Sequence, residues 1–181
     1  MPRSVREILS EAQRVGALGA RPIDEVIDHA MAFVHALPPG ILRVVDLGTG
    51  AGIPGLIIGE ARPEVQLTLV DRRAKRTDAL ERAIRALGWE DRARVICGDV
   101  ATLAKKPEWQ DGFDAVVSRG FGPHETTLRL SAALAAPHGV VVLTEPPEGT
   151  PNRWRQELVD ELQVVGPEKL PFVVRFKKTE R

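Results

Sequence analysis

The stretch Val44-Val45-Asp46-Leu47-Gly48-Thr49-Gly50-Ala51-Gly52-Ile53-Pro54-Gly55 sets four glycines within eight positions, directly after an apolar run. Glycine reaches backbone conformations closed to other residues, so this stretch reads as a buried strand, a tight turn and the start of a helix. With almost no side chains on the turn, a guest molecule can press against the backbone. Further apolar runs occur at 66–70, 94–97, 113–117 and 139–143, the first of the series covering 41–47. Helical patterns lie between them around 53–61, 74–88, 123–136 and 152–162. Short apolar runs without alternation are strands buried on both faces. Strands alternating with helices build a parallel sheet with right-handed crossovers. The runs at 163–166 and 171–176 have only Pro167 and a short loop between them, which predicts an antiparallel hairpin. The expected fold is α/β: a seven-stranded, mostly parallel sheet with an antiparallel C-terminal hairpin and helices on both faces.

The N-terminal region reads differently. Val5, Ile8, Leu9, Ala12 and Val15 recur at helical spacing, and Ser4 with Glu7 forms a capping box. Residues 22–37 repeat the pattern behind Pro22, which suits a first helical turn, and Pro38-Pro39-Gly40 breaks the helix. Residues 1–40 are therefore expected to form a helical extension packed on the sheet, and 41–181 the main domain. Lys plus Arg and Asp plus Glu balance at 25 each. Bulk charge thus points to no nucleic-acid partner, while a local patch stays open. A single cysteine, Cys97, excludes a disulfide framework and makes a reducing cytoplasm the expected compartment. Arg3, Arg6, Glu7 and Glu11 break up the N-terminus, so it does not read as a signal peptide. No apolar stretch approaches the roughly 20 residues of a membrane span.

Two readings of the glycine turn compete. Gly50 to Gly55 fits G-x-G-x-x-G, a dinucleotide fingerprint. Asp46 to Gly52 reads D-x-G-x-G-x-G, which resembles the first motif of S-adenosylmethionine-dependent methyltransferases. Charge favours the second. A carboxylate at the strand end repels a pyrophosphate and attracts an ammonium, directly or through water. Pro54 also removes an N–H from the first helical turn, where a pyrophosphate needs donors. Asp71, at the end of the next strand, is placed to accept bonds from two ribose hydroxyls, a logic shared by nucleoside cofactors. Gly98-Asp99-Val100 follows the third strand. In methyltransferases an acidic residue there reaches the adenine amino group, although Gly-Asp is also a common turn.

The reacting end should lie beyond the strands at 41–47 and 113–117, where strand order reverses. The second ends in Val117-Ser118-Arg119-Gly120-Phe121-Gly122, without the D-P-P-Y or N-P-P-F pattern of exocyclic-amine methyltransferases. Glu145-Pro146-Pro147 resembles such a motif only superficially, since it follows the next strand. A ring nitrogen such as guanine N7 has a free lone pair and needs no general base. Proximity and alignment then supply potentially about 7–11 kcal/mol. Arg119 could hold a phosphate or a guanine edge; the competing reading is a surface or a salt-bridged arginine.

Together, VVDLGTGAGIPG, ARPEVQLTLVD at 61–71, Lys75-Arg76 and FDAVVSRGF at 113–121 resemble the bacterial small-subunit ribosomal RNA methyltransferases of the GidB type, also called RsmG. The helix bearing His29 is similar to a histidine-bearing helix of that family. The resemblance implies a Rossmann-like class I methyltransferase fold, S-adenosyl-L-methionine as cofactor, and methylation of guanine N7 in 16S rRNA of the small ribosomal subunit. It implies a cofactor site of Asp46, Gly48, Gly50, Gly52, Asp71 and Asp99. Arg119 would lie beside the cofactor and position the substrate, and Lys75 and Arg76 would touch cofactor or RNA. No metal is implied. The chain departs from the family where Gly98-Asp99-Val100-Ala101 replaces an R-x-E-type motif and Glu145-Pro146 replaces Lys-Gly.

Basic residues cluster at Arg72, Arg73, Lys75, Arg76, Arg82 and Arg85, and in the tail at Lys169, Arg175, Lys177, Lys178 and Arg181. They read either as phosphate contacts or as solvated faces. Phe121 is the candidate for base stacking. Trp154 is placed at the pocket flank, Trp89 and Trp109 at the sheet edges, and His124 at a helix start near Arg119. A small-molecule methyltransferase and a catalytically weak cofactor- or RNA-binding module remain as alternatives. An NAD-dependent oxidoreductase ranks last, because the chain has no tyrosine for a Tyr-Lys pair.

Overall fold

Branched apolar residues packed on two faces create the sheet. In the strand β1 (Arg43–Leu47), Val45 and Leu47 point to one side and Val44 to the other, all fully buried. The same two-sided burial marks β2 (Gln66–Asp71) and β4 (Phe113–Ser118). In the computed structural model, which describes residues 2–145 and 153–180, the sheet is completed by β3 (Ala93–Cys97), β5 (Ala135–Thr144), β6 (Val164–Leu170) and β7 (Val173–Lys178). Its order is β3-β2-β1-β4-β5-β7-β6. The first five strands are parallel; β7 pairs antiparallel with β5 and β6 with β7. The seven-stranded α/β sheet and its C-terminal hairpin are as the sequence predicts. The chain reverses direction across the sheet between β1 and β4, and the carboxyl ends of those strands flank the crevice where open α/β sheets bind ligands.

One face carries α1 (Val5–Arg14), α2 (Ile23–Ala36), α3 (Gly55–Ala61) and α4 (Ala74–Leu87). Val5 and Leu9 of α1 and Val26, Ala30 and Phe33 of α2 join the same core as the sheet residues Val44, Leu67 and Val117. The Ser4–Glu7 capping box forms, and Pro22 serves as N-cap of α2. The other face carries α5 (Val100–Leu103), α6 (His124–Leu134) and α7 (Gln156–Glu161) over a second core. α6 stops at Leu134 and β5 begins at Ala135, earlier than the apolar run alone suggests, with a register shift between Phe113 and Ala115. α5 has no counterpart in the sequence reading, because four residues are too few for a periodic signal. Among the described residues, no helix is long and apolar enough to cross a membrane.

Candidate functional site

The glycine turn is held by its own backbone. Thr49 N–H donates to Val70 O on the neighbouring strand, and Gly52 and Ile53 N–H both donate to Thr49 O. Gly50 has φ +60, a left-handed conformation, and its N–H donates to Asp71 Oδ2 at 3.0 Å. Gly55 is required by close approach: a Cβ there would lie 2.3 Å from Leu69 Cδ2 and 2.9 Å from Asp46 Oδ2. α3 can therefore seat against β2 only without a side chain at that position. Pro54 is the N-cap of α3, so the helix begins one residue later than its missing N–H would affect.

Asp71 closes β2 with 4% of its surface exposed. Its Oδ1 accepts Arg73 N–H at 3.0 Å, the two-residue reach of an Asx turn. Its Oδ2 accepts Gly50 N–H and, at 3.2 Å, Arg76 Nη1. An ionised carboxylate has about four acceptor positions; three are used. A vicinal diol needs two, so it can bind fully only by taking the position of Arg76, whose side chain is 39% exposed and can withdraw. Asp71 lines a cavity of about 300 Å³ with Gly48, Arg73, Arg76, Asp99 and Phe121. Asp99 is the N-cap of α5, and its Oδ1 accepts Thr102 N–H at 3.0 Å. Gly98 N–H donates to Asp71 O, which ties the two acidic positions together.

Asp46 does not end the strand as the sequence suggested. It is the penultimate residue of β1 and wholly buried beneath the turn. Its Oδ2 accepts Thr49 Oγ1–H at 2.7 Å and Gly55 N–H at 2.9 Å. Oδ1 is also buried and has no hydrogen-bond partner among the described residues. Burial pushes the Asp46 carboxyl up to about 6, against the opposing pull of Thr49, Gly55 and the Arg119 guanidinium. Arg119, just past β4, is half-buried, and burial lowers its pKa below the ordinary arginine value; Asp46 opposes that shift and Arg21 reinforces it. Among the described residues Arg119 forms no ion pair or hydrogen bond, so the salt-bridged reading does not hold, while its partial exposure still fits a surface arginine.

The cavity thus brings together Gly48, Asp71 and Asp99. Gly50 reaches it through its N–H. Gly52, with φ +96, shapes the turn beside Leu56. Asp46 and Arg119 do not line it; they lie at the carboxyl ends of β1 and β4 and attract each other electrostatically. The Arg73 backbone N–H and Gly120 were absent from the sequence reading. For Arg73, the Asp-x-x turn was the available signal. Phe121 does reach the cavity, with Cδ2 2.7 Å from where a Gly48 Cβ would stand.

Several peripheral expectations change. Trp154 is 3% exposed and sits in the second core against Phe176, not at the pocket flank. Its indole N–H donates to Glu145 Oε2, and Arg153 lies 3.7 Å from the same oxygen. Glu145 is therefore held internally; Pro146 and Pro147 lie outside the described residues. The basic tail is not a free cationic arm: Arg175 pairs with Glu168 and donates to Ala36 O, and Lys178 donates to Ala132 O. Arg181 also lies outside the described residues. Trp89 lies under Arg92, and Trp109 packs in the core with Phe113. His124 begins α6 and contacts Arg153 O. Among the described residues, no cluster could hold a metal ion.

Residues 5–148 match the GidB family, rRNA small subunit methyltransferase G. The ribosomal RNA small subunit methyltransferase G of Deinococcus deserti is 34% identical over 68% of this chain and 52% of that protein. Its counterpart in Desulfotalea psychrophila is 30% identical over 81% of this chain and 65% of the other. The chain spans about half the length of the curated relatives it matches first. An O-methyltransferase family protein from Burkholderia thailandensis shares the fold, with a TM-score of 0.63 at 13% identity over 86% of this chain and 58% of that one. So does a SAM-dependent methyltransferase from Thiobacillus denitrificans in complex with S-adenosyl-L-homocysteine, with a TM-score of 0.54 at 24% identity over 65% and 48%. On the family match across most of its length, the chain belongs to the GidB family of rRNA small subunit methyltransferase G proteins.

Proposed function

We propose that this chain is an S-adenosyl-L-methionine-dependent methyltransferase acting on guanine N7 of 16S rRNA in the small ribosomal subunit. The observation that carries the cofactor half is the clip between Gly50 N–H and Asp71 at the wall of a cavity that also holds Asp99. The cofactor supplies a methyl group on a positively charged sulfur. Asp71 would hold the ribose diol once Arg76 yields its place. Asp99 would face the adenine, and the turn at Gly48–Gly52 would leave room for the methionyl backbone. The buried, unpartnered Oδ1 of Asp46 fits an ammonium reached directly or through water, while the same carboxylate disfavours a pyrophosphate.

Guanine N7 attacks with its own lone pair, so the residues need only position it. Arg119 follows β4, has a guanidinium with spare donors among the described residues and is attracted by Asp46; it would hold a guanine edge or a phosphate there. In this reading residues 1–40 form a helical extension packed on the sheet, and 41–181 form the cofactor-binding domain. The cytoplasm and the small ribosomal subunit are its setting. The reading is tested by titration calorimetry with S-adenosylhomocysteine and with NAD, followed by transfer of labelled methyl to undermethylated 30S subunits. Binding of NAD alone overturns the cofactor; labelling of a metabolite fraction in place of 16S rRNA overturns the substrate.

A further inference from the structure

Phe172 lies beyond the residues that match the family and has no core to fill. It is 58% exposed, yet it occupies the tight turn between β6 and β7 with φ +65. A bulky residue in the left-handed region is strained, and such strain persists where function holds it. An exposed aromatic ring is also unfavourable in water. Either property alone would favour glycine or asparagine at this turn.

The turn's position explains the choice. β7 begins where β5 ends: Val173 pairs with Thr144, and Glu145 N–H donates to Phe172 O. Because β5 is parallel to β4, the turn stands on the carboxyl edge of the sheet, as Arg119 does. The Phe172 ring stacks on His29 of α2, with centroids 4.4 Å apart and planes inclined by 29°. Arg21 Nη1 lies 2.9 Å from His29 Nδ1. Arginine can only donate, so Nδ1 is the acceptor and the ring proton sits on Nε2. Arg21 in turn acts electrostatically on Arg119. Three separate segments therefore bring one exposed ring, one imidazole and two guanidinium groups to the β4–β5 side of the crevice. The cavity with Asp71 and Asp99 opens beyond the ends of β1 to β3 and meets this side at Gly120 and Phe121.

We propose that Phe172, stacked on His29 beside Arg21 and on the same sheet edge as Arg119, is a platform for an unpaired RNA base. Unpaired bases are recognised by stacking on aromatic rings, with arginines holding the adjoining phosphates. The Phe172–His29 pair supplies the flat face and the two arginines supply the charge. The proposal rests on the RNA-methyltransferase reading and assigns to it a binding element in the C-terminal hairpin.

The test uses the full chain with S-adenosylhomocysteine bound and a fluorescein-labelled, single-stranded 12-nucleotide RNA containing guanine, read by anisotropy. Phe172→Ala is expected to weaken RNA binding by about 5-fold to 100-fold, the loss of one stacked base, with S-adenosylhomocysteine affinity unchanged by calorimetry. Phe172→Tyr should retain binding. Phe172→Gly releases the backbone strain, so it should keep its melting temperature while losing RNA affinity, which separates a binding role from a folding one. Unchanged RNA affinity in both Phe172→Ala and Phe172→Gly overturns the platform alone, provided that the wild type methylates 30S subunits. A wild type that binds no RNA and methylates no subunit overturns the RNA reading and the platform together.

Discussion

The two sides of the switch point are built from different materials. On the β1–β3 side the ligand-facing groups are backbone N–H donors and short acidic side chains already tied to one another: Gly50 to Asp71, Arg73 to Asp71, Thr102 to Asp99. On the β4–β7 side they are long cations and an exposed ring: Arg119, Arg21 and Phe172, with His29 between them. Apart from the unpartnered Asp46 Oδ1, the first side is largely tied together internally, so ordering it costs little on binding. The second side leaves cationic and aromatic groups facing outward, which suits a large anionic substrate. If the proposed cofactor and RNA occupy these two sides, the small constant ligand meets groups already tied to one another, and the large one meets groups left open.

The sharpest way to break this contrast is Arg119→Ala. Methyl transfer to 30S subunits should fall by about 100-fold or more, as for a misplaced reactant, with S-adenosylhomocysteine affinity retained. Normal turnover would make Arg119 a structural residue and erase the division between sides. Next in size is Asp46→Asn, read as stability. Burial raises the folded-state pKa of Asp46 to about 6, above the ordinary aspartate value of 3.8. Its stability contribution is therefore fully present below about pH 4 and is lost as pH rises through about 6. The substitution should raise stability at pH 7.5 by about 2–3 kcal/mol and flatten the fall between about pH 4 and 6, measured by urea unfolding at a series of pH values. A variant less stable than wild type at pH 7.5 would show that ionised Asp46 holds the turn together.

Asp71→Ala tests the pre-satisfied side: cofactor affinity should drop about tenfold, for hydrogen bonds lost to a charged acceptor. Calorimetry showing no loss would remove Asp71 from the site. The smallest effect has the opposite sign. Arg76→Ala frees an acceptor position on Asp71, so S-adenosylhomocysteine should bind about 2-fold to 5-fold tighter, at the scale of one partly exposed ion pair. Weaker binding would instead make Arg76 a direct cofactor contact.

Much of the cofactor side was legible in the sequence because its geometry is local. Strand ends, glycine turns and an Asp two residues before an N–H follow from short-range rules, and Gly50 and Asp71, joined by a hydrogen bond at the cavity, are legible that way; Asp99 entered through the methyltransferase resemblance. Asp46 was misread for the same reason: pattern does not distinguish the tip of a strand from its penultimate, buried residue, since element ends are uncertain by a residue or two. α5 was missed although Asp99 and Thr102 carry a helix-start signal, because its four residues show no period. The Phe172–His29 stack was invisible for a different reason. Each residue looks ordinary in its own segment, and only the antiparallel return of β7 beside β5 brings the turn to α2. Trp154 shows the converse: an aromatic expected at the pocket is drawn inward by Glu145 and Phe176.

The antiparallel insertion of β7 between β5 and β6 also bears on how such a protein can change over generations. Every other strand delivers its tail to the ligand edge, but β7 delivers its head, at the end of a reversible two-residue hairpin. That hairpin can lengthen, shorten or exchange its tip residue without moving a single group that touches Asp71 or the glycine turn. Selection for a new acceptor can thus act on the hairpin while the methyl donor's seat stays inherited and intact.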